Sequence, residues 1–196
     1  MATPKLTTIG DSLYWSYANL AMMFVAVHDE VEKPETIHYM IRAKLFGGVR
    51  KGTMKVRGFF ADEKLKLKIP PACWYCGSTE HLSVDHVIPQ SRNGSHGGEN
   101  LISCCRTCNS SKGSTDLLAW METRNQFPSL CLLRRYLKMV IEYCKENELM
   151  DVPLDETHAI KEQLPFDLDR IPHDFPPVKE LCTVVPVQGE QEKEME

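Results

Sequence analysis

The sequence predicts a mixed α+β fold, with helices at both ends and a short-stranded, cysteine-bearing segment between them. Three observations carry that prediction. Apolar residues recur at helical spacing near the N-terminus and again over 130–144, residues 54–69 alternate apolar with polar, and two C-x-x-C pairs bracket residues 73–108. At 196 residues and 42% hydrophobic composition, the chain is long enough to bury one real core.

Asp11 or Ser12 is placed to cap a first helix running to about Val31. Its stretch from Leu13 to Val27 is apolar on every side apart from Ser16 and Asn19, so the helix is expected to be buried, either in this protein or in a partner. A membrane span is disfavoured, because fifteen helical residues reach only ~22 Å against a hydrocarbon core of ~30 Å. Pro34 suits the first turn of a second helix that stops at Gly47-Gly48.

Met54 to Phe60 and Lys64 to Ile69 then read as two half-buried strands joined through Ala61-Asp62-Glu63, a β-hairpin. Its outer face carries Lys55, Arg57, Lys64, Lys66 and Lys68, which would lie on phosphates or keep a sheet edge soluble. Beyond the cysteines, Ser114 or Thr115 caps a short helix to about Arg124, and Pro128-Ser129 opens a longer one to about Asn147, whose Leu130, Leu133, Leu137, Val140 and Cys144 form a core stripe. A further helix is expected from Asp155 to Leu164. Residues 166–196 read as an extended, acidic, disordered tail.

Charge is segregated along the chain. The formal net charge is −4, yet residues 42–68 hold 9 basic against 2 acidic side chains, and residues 141–196 hold 5 basic against 15 acidic. That excludes a uniformly basic nucleic-acid binder and points to a local basic surface facing a polyanion. Eight cysteines, four of them in C-x-x-C pairs, fit a metal site in a reducing compartment better than secreted disulfides, so the chain is read as cytoplasmic.

The two knuckles, Cys73/Cys76 and Cys105/Cys108, supply four thiolates for a tetrahedral structural Zn²⁺. Between them lie 28 residues, more than the roughly 15–20 of a plain zinc ribbon, so something else is housed there. Cys104, Cys131, Cys144 and Cys182 are left as buried thiols.

Cys73-Trp-Tyr-Cys76, Asp85-His86-Val-Ile-Pro89, Gly97-Gly-Glu-Asn100 and Cys105-Arg-Thr-Cys108-Asn109-Ser-Ser-Lys112-Gly113 occur in that order. Together they resemble the HNH endonuclease family of the four-cysteine type, in which Asn109 stands where some members carry a third histidine. The resemblance implies a ββα-metal module, with Asp85 and His86 on the first strand, Asn100 opening the second and Asn109 on the helix. It implies His86 as the general base, Asp85 and Asn109 as ligands of a catalytic Mg²⁺ or Mn²⁺, and Asn100 as the residue that fixes the loop behind His86. Lys112 is then expected at phosphate, with Arg92, Arg106, His96 and His81 as nearby candidates for substrate contact.

The expected organisation is therefore a helical region with the basic hairpin over 1–69, the nuclease module over 70–124, a packing helical region over 125–165 and the tail over 166–196. The expected partner is DNA, with RNA as the alternative. A protein partner docking through the apolar helix 13–27, or a homodimer, would suit an effector subunit of a restriction or phage-defence system. The competing reading is a non-catalytic zinc-ribbon module that only binds nucleic acid.

Overall fold

A computed structural model describes residues 4–188. Its elements follow the order α1 Ile9–His28, α2 Thr36–Arg50, α3 Phe60–Lys66, β1 Leu82–His86, β2 Leu101–Cys105, α4 Arg106–Lys112, α5 Leu117–Thr123 and α6 Leu130–Glu146. β1 and β2 pair antiparallel, with Asp85 opposite Ile102 and His86 opposite Leu101. The mixed architecture with a small ββα module is as expected.

α1 begins at Thr8, not at Asp11 or Ser12: the Thr8 side chain accepts from the Asp11 amide, satisfying one of the orphan donors of the first turn. Asp11 instead pairs with Arg50 of α2 at 2.7 Å. The apolar length of α1 is spent inside the chain. Leu13, Tyr17 and Leu20 join the main core with α6, while Trp15 and Ala18 pack on Phe46 of α2. The helix is thus buried largely within this protein, the first of the two expectations for it. No described helix is long and apolar enough to cross a membrane.

The predicted hairpin is also corrected. Residues 54–58 are irregular and residues 60–66 form helix α3. The lysine–leucine alternation mimics a strand, but the acids between the two runs decide the outcome. Asp62 pairs with Arg134 at 2.7 Å and with Lys138 at 2.5 Å, and Glu63 pairs with Arg135 at 2.6 Å, all three cations standing on α6. Asp62 and Glu63 in the first turn, with Lys64 and Lys66 in the last, also suit the helix dipole.

α2 runs on through Gly47-Gly48 to Arg50, and the short α5 is capped by Asp116, whose carboxylate accepts from the Leu118 and Ala119 amides. α6 opens at Ser129 as expected. The helix expected over 155–164 is a pair of 3-10 turns.

The tail is corrected for residues 166–188, and residues 189–196 lie outside the described residues. Phe166, Ile171 and Val178 are buried, and the carbonyls of Cys182 and Thr183 accept from the amides of Leu130 and Cys131, capping α6 from outside. Pro172 and His173 offer their carbonyls to Ser16 and Asn19 of α1. One continuous core thus draws on α1, the first knuckle, β2, α5, α6 and this returning strap.

Candidate functional site

Two turns and the start of α4 gather the four cysteines. The Gly77 amide closes the first turn onto the Cys73 carbonyl, and the Cys108 amide points at the Cys105 sulfur. Their Sγ atoms all lie within 4.8 Å of one another, and Cys76 and Cys105 stand 3.8 Å apart. A tetrahedral ion with Zn–S bonds of ~2.3 Å has an S···S edge of ~3.8 Å, so the donor set fits one such ion. Burial pushes the Cys76 and Cys108 thiols up, while at Cys105 burial is outweighed by hydrogen bonds from Cys108 and Cys76 that bring the thiol down, so the four thiols are not alike. Positive φ at Gly77 makes room for the strap, whose Gln188 amide reaches the Gly77 carbonyl and whose side chain reaches that of Cys76.

β1 places the next residues by simple alternation. Ser83 and Asp85 face inward toward α4, while Val84 and His86 face the other side. On α4, Asn109 and Lys112 are three residues apart and so share one face. Asn109 Nδ2 donates to Ser83 Oγ and to the Val84 carbonyl, both at 3.2 Å. Lys112 Nζ donates to the His86 carbonyl at 2.7 Å and lies 3.1 Å from Asp85 Oδ2. Lys112 is therefore corrected from a phosphate contact to an internal brace, since its side chain has no exposure.

Asp85 Oδ2 also accepts from the Tyr75 hydroxyl at 2.6 Å. Burial, reinforced by the Asp85 charge, pushes the Tyr75 phenol well above its ordinary value and keeps it a donor. Among the described residues, Asp85 Oδ1 and Asn109 Oδ1 take no hydrogen bond, and neither is a sealed, unpartnered atom. These two oxygens are of the kind that could take a hard divalent ion.

His86 does not touch Asp85, its neighbour on the strand. Its Nε2 lies 2.9 Å from Gln90 Nε2, which also lies 2.6 Å from His96 Nδ1, and the two rings meet edge to face at 5.5 Å. Burial and the neighbouring His96 lower the His86 pKa, opposed by Asp85, so the imidazole is held neutral. Asn100 is wholly buried, donating to the carbonyls of Ile88 and Ser95 and accepting from the Ile88 amide. It closes the loop that follows His86.

The same residues that fold into this unit, 73–115, match the HNH endonuclease family model. The likeness of this segment is to an HNH domain. Over 52 residues the chain is 42% identical to the CRISPR-associated endonuclease Cas9 of Corynebacterium diphtheriae, and over 55 residues it is 38% identical to that of Actinomyces naeslundii. Those alignments cover 24% and 26% of this chain and 5% of each relative, so the likeness is confined to the module. No solved structure matches the chain.

Around the HNH module, Arg106, His81 and His96 are exposed and Arg92 is half-buried. Lys55, Arg57, Lys64 and Lys68 are exposed, whereas Lys66 is committed to the carbonyls of Gly98 and Leu101. Sequence reasoning missed Tyr75 and Gln90. Tyr75 sits inside the first knuckle and Gln90 directly after Pro89, but nothing in their spacing marks them as neighbours of Asp85 and His86.

Proposed function

We propose that the chain is a metal-dependent endonuclease that hydrolyses phosphodiester bonds in nucleic acid, DNA foremost. One observation supports this above the others: the two side-chain oxygens left without internal partners, on Asp85 and Asn109, belong to adjoining β1 and α4, one residue from an outward-facing neutral imidazole. A module that only bound nucleic acid would have no use for that set.

Asp85 and Asn109 would hold a Mg²⁺ or Mn²⁺, which when bound supplies positive charge at the phosphate and at the departing 3′ oxygen. His86 takes the proton of the attacking water. Its oxygen bonds to phosphorus while the 3′ oxygen leaves. Tyr75 and Lys112 hold Asp85 in place, and Asn100 keeps the His86 loop closed. Cys73, Cys76, Cys105 and Cys108 hold a structural Zn²⁺. Arg92, Arg106, Lys55, Arg57, Lys64 and Lys68 are the candidate phosphate contacts. The module spans 70–124 on a scaffold of α1, α2 and α6, and its setting is that of an effector nuclease of a restriction or phage-defence system.

The test is relaxation of supercoiled plasmid with Mg²⁺ or Mn²⁺ and its loss in EDTA. His86→Ala should abolish cutting while bound zinc stays at one per chain; a variant that still cuts would remove His86 from the base position.

A further inference from the structure

The outward face of α3 is not used by any contact described so far. Phe60, Lys64 and Leu67 fall within about 60° of arc around the helix axis and span about 10 Å along it. Asp62 and Lys66 lie on the other side and Glu63 at the edge beside Leu67, and these three bind α6 and the start of β2. Phe60 is 83% exposed and Leu67 is 88% exposed, an unusual position for two large apolar side chains flanking a lysine. Together they leave two apolar surfaces on one side of α3, available to a partner.

Charge decides what that is. Asp62 and Glu63 are already neutralised by Arg134, Lys138, Arg135 and Lys66. Lys55, Arg57, Lys64 and Lys68, all exposed, have no carboxylate partner among the described residues. The face therefore alternates apolar and cationic groups, with Lys64 between Phe60 and Leu67 and Lys68 next in the chain, which complements a polyanion that also exposes flat apolar surface. A duplex hides its base faces and would leave Phe60 and Leu67 against phosphate and water. An unpaired strand offers both phosphates and free base faces.

The position fits as well. Lys66 fixes α3 to the Leu101 carbonyl at 2.8 Å, and Leu101 is the residue paired with His86. α3 is thus anchored one β-strand from the candidate base, with Phe60 and Leu67 left exposed on its free side.

We propose that this face binds a polynucleotide strand with unpaired bases, Phe60 stacking on a base, Leu67 packing on a second, and Lys64 between them on the phosphate. The assignment rests on the nuclease reading for its purpose, while the binding it describes can be measured without any cutting.

The experiment uses the full chain carrying His86→Ala and measures fluorescence anisotropy with a labelled single-stranded oligonucleotide and with its duplex. Phe60→Ala is expected to weaken single-strand binding on the order of tenfold and to leave duplex binding within about twofold, because stacking contributes ~1–3 kcal/mol per base. Phe60→Trp should restore it and Phe60→Leu should not. Lys64→Ala should lower the salt slope for the single strand by about 0.7.

The proposal is overturned if Phe60→Ala binds the single strand as its parent does, if it loses single strand and duplex equally, or if the chain self-associates through this face, seen as a dimer that Phe60→Ala dissolves. Cutting retained by His86→Ala would refute the base assignment and leave the binding result standing. Normal cutting by a chain with no Phe60 dependence would do the reverse.

Discussion

The Tyr75 hydroxyl donates to Asp85 Oδ2 at 2.6 Å, linking the first cysteine knuckle directly to the carboxylate proposed to bind the catalytic ion. The phenol ring is itself fixed edge-on against Trp120, with ring centroids 4.9 Å apart. Partners of this kind, one bond back from a metal ligand, orient it and set its basicity. Tyr75→Phe keeps the ring and removes the bond, so folding should weaken by only about 1 kcal/mol. Activation by Mg²⁺ should weaken about 10- to 100-fold. Plasmid nicking titrated with Mg²⁺ reads this, and an unmoved curve would separate Tyr75 from the site.

Lys112 is the second brace, and its role is structural first. Its ammonium is fully buried between Asp85 and the His86 carbonyl. Lys112→Met should cost about 3–5 kcal/mol, because it strands a buried carboxylate. Urea unfolding measures the loss. A variant as stable as the parent, with only substrate affinity reduced, would return Lys112 to the phosphate.

Chelation tests the four thiols. Structural zinc contributes folding free energy of ~10–16 kcal/mol in small modules, so Cys76→Ser should lose the ion and the packing of residues 73–113 together. Metal analysis and near-ultraviolet dichroism from Trp74 and Trp120 report the two effects. A variant that lacks zinc but keeps its aromatic signal would show that the ion is dispensable to the fold.

The module was legible because its chemistry is local. Two knuckles, an aspartate–histidine pair and two asparagines all fall within residues 73–109, and the contacts among them span at most 29 residues. The stripe of α6 was legible for the same reason. α3 was not, because the forces that choose helix over strand there come from Arg134, Arg135 and Lys138, some 72 to 76 residues away along the chain. The strap failed similarly: Phe166, Ile171 and Val178 are too sparse among prolines to show a period, and they are buried only because the α1 and α6 surfaces receive them. Lys112 looked like a phosphate ligand because sequence does not show that a carboxylate and a carbonyl wait on the facing strand.

Asp62 carries the misread segment. Burial lowers the Lys138 pKa while Asp62 opposes that shift, so the pair keeps the lysine charged inside the protein. Asp62→Asn leaves Lys138 and Arg134 facing a neutral amide and should destabilise the chain by about 3–5 kcal/mol. Lys138→Met added to Asp62→Asn should recover part of the loss, since it removes the buried ammonium that the substitution left without a carboxylate. A double variant no better than the single one would place the cost elsewhere.

His173 makes stability depend on pH. Its Nε2 lies 2.8 Å from Ser12 Oγ on α1, and burial lowers its pKa, with Asp174 opposing. In the unfolded chain the ring takes up a proton near ~6.5, whereas the folded chain holds it neutral to lower pH. Between those two values the unfolded state binds more protons, so the contribution is complete above ~6.5 and is lost as pH falls toward the folded value. His173→Gln keeps a hydrogen-bonding group at Ser12 but does not titrate. Urea midpoints measured between about pH 7.5 and 5.5 should therefore fall less steeply in the variant than in the parent, the difference isolating His173 from the other histidines. Equal slopes in the two proteins would mean that the strap is held to α1 without regard to the charge on this ring.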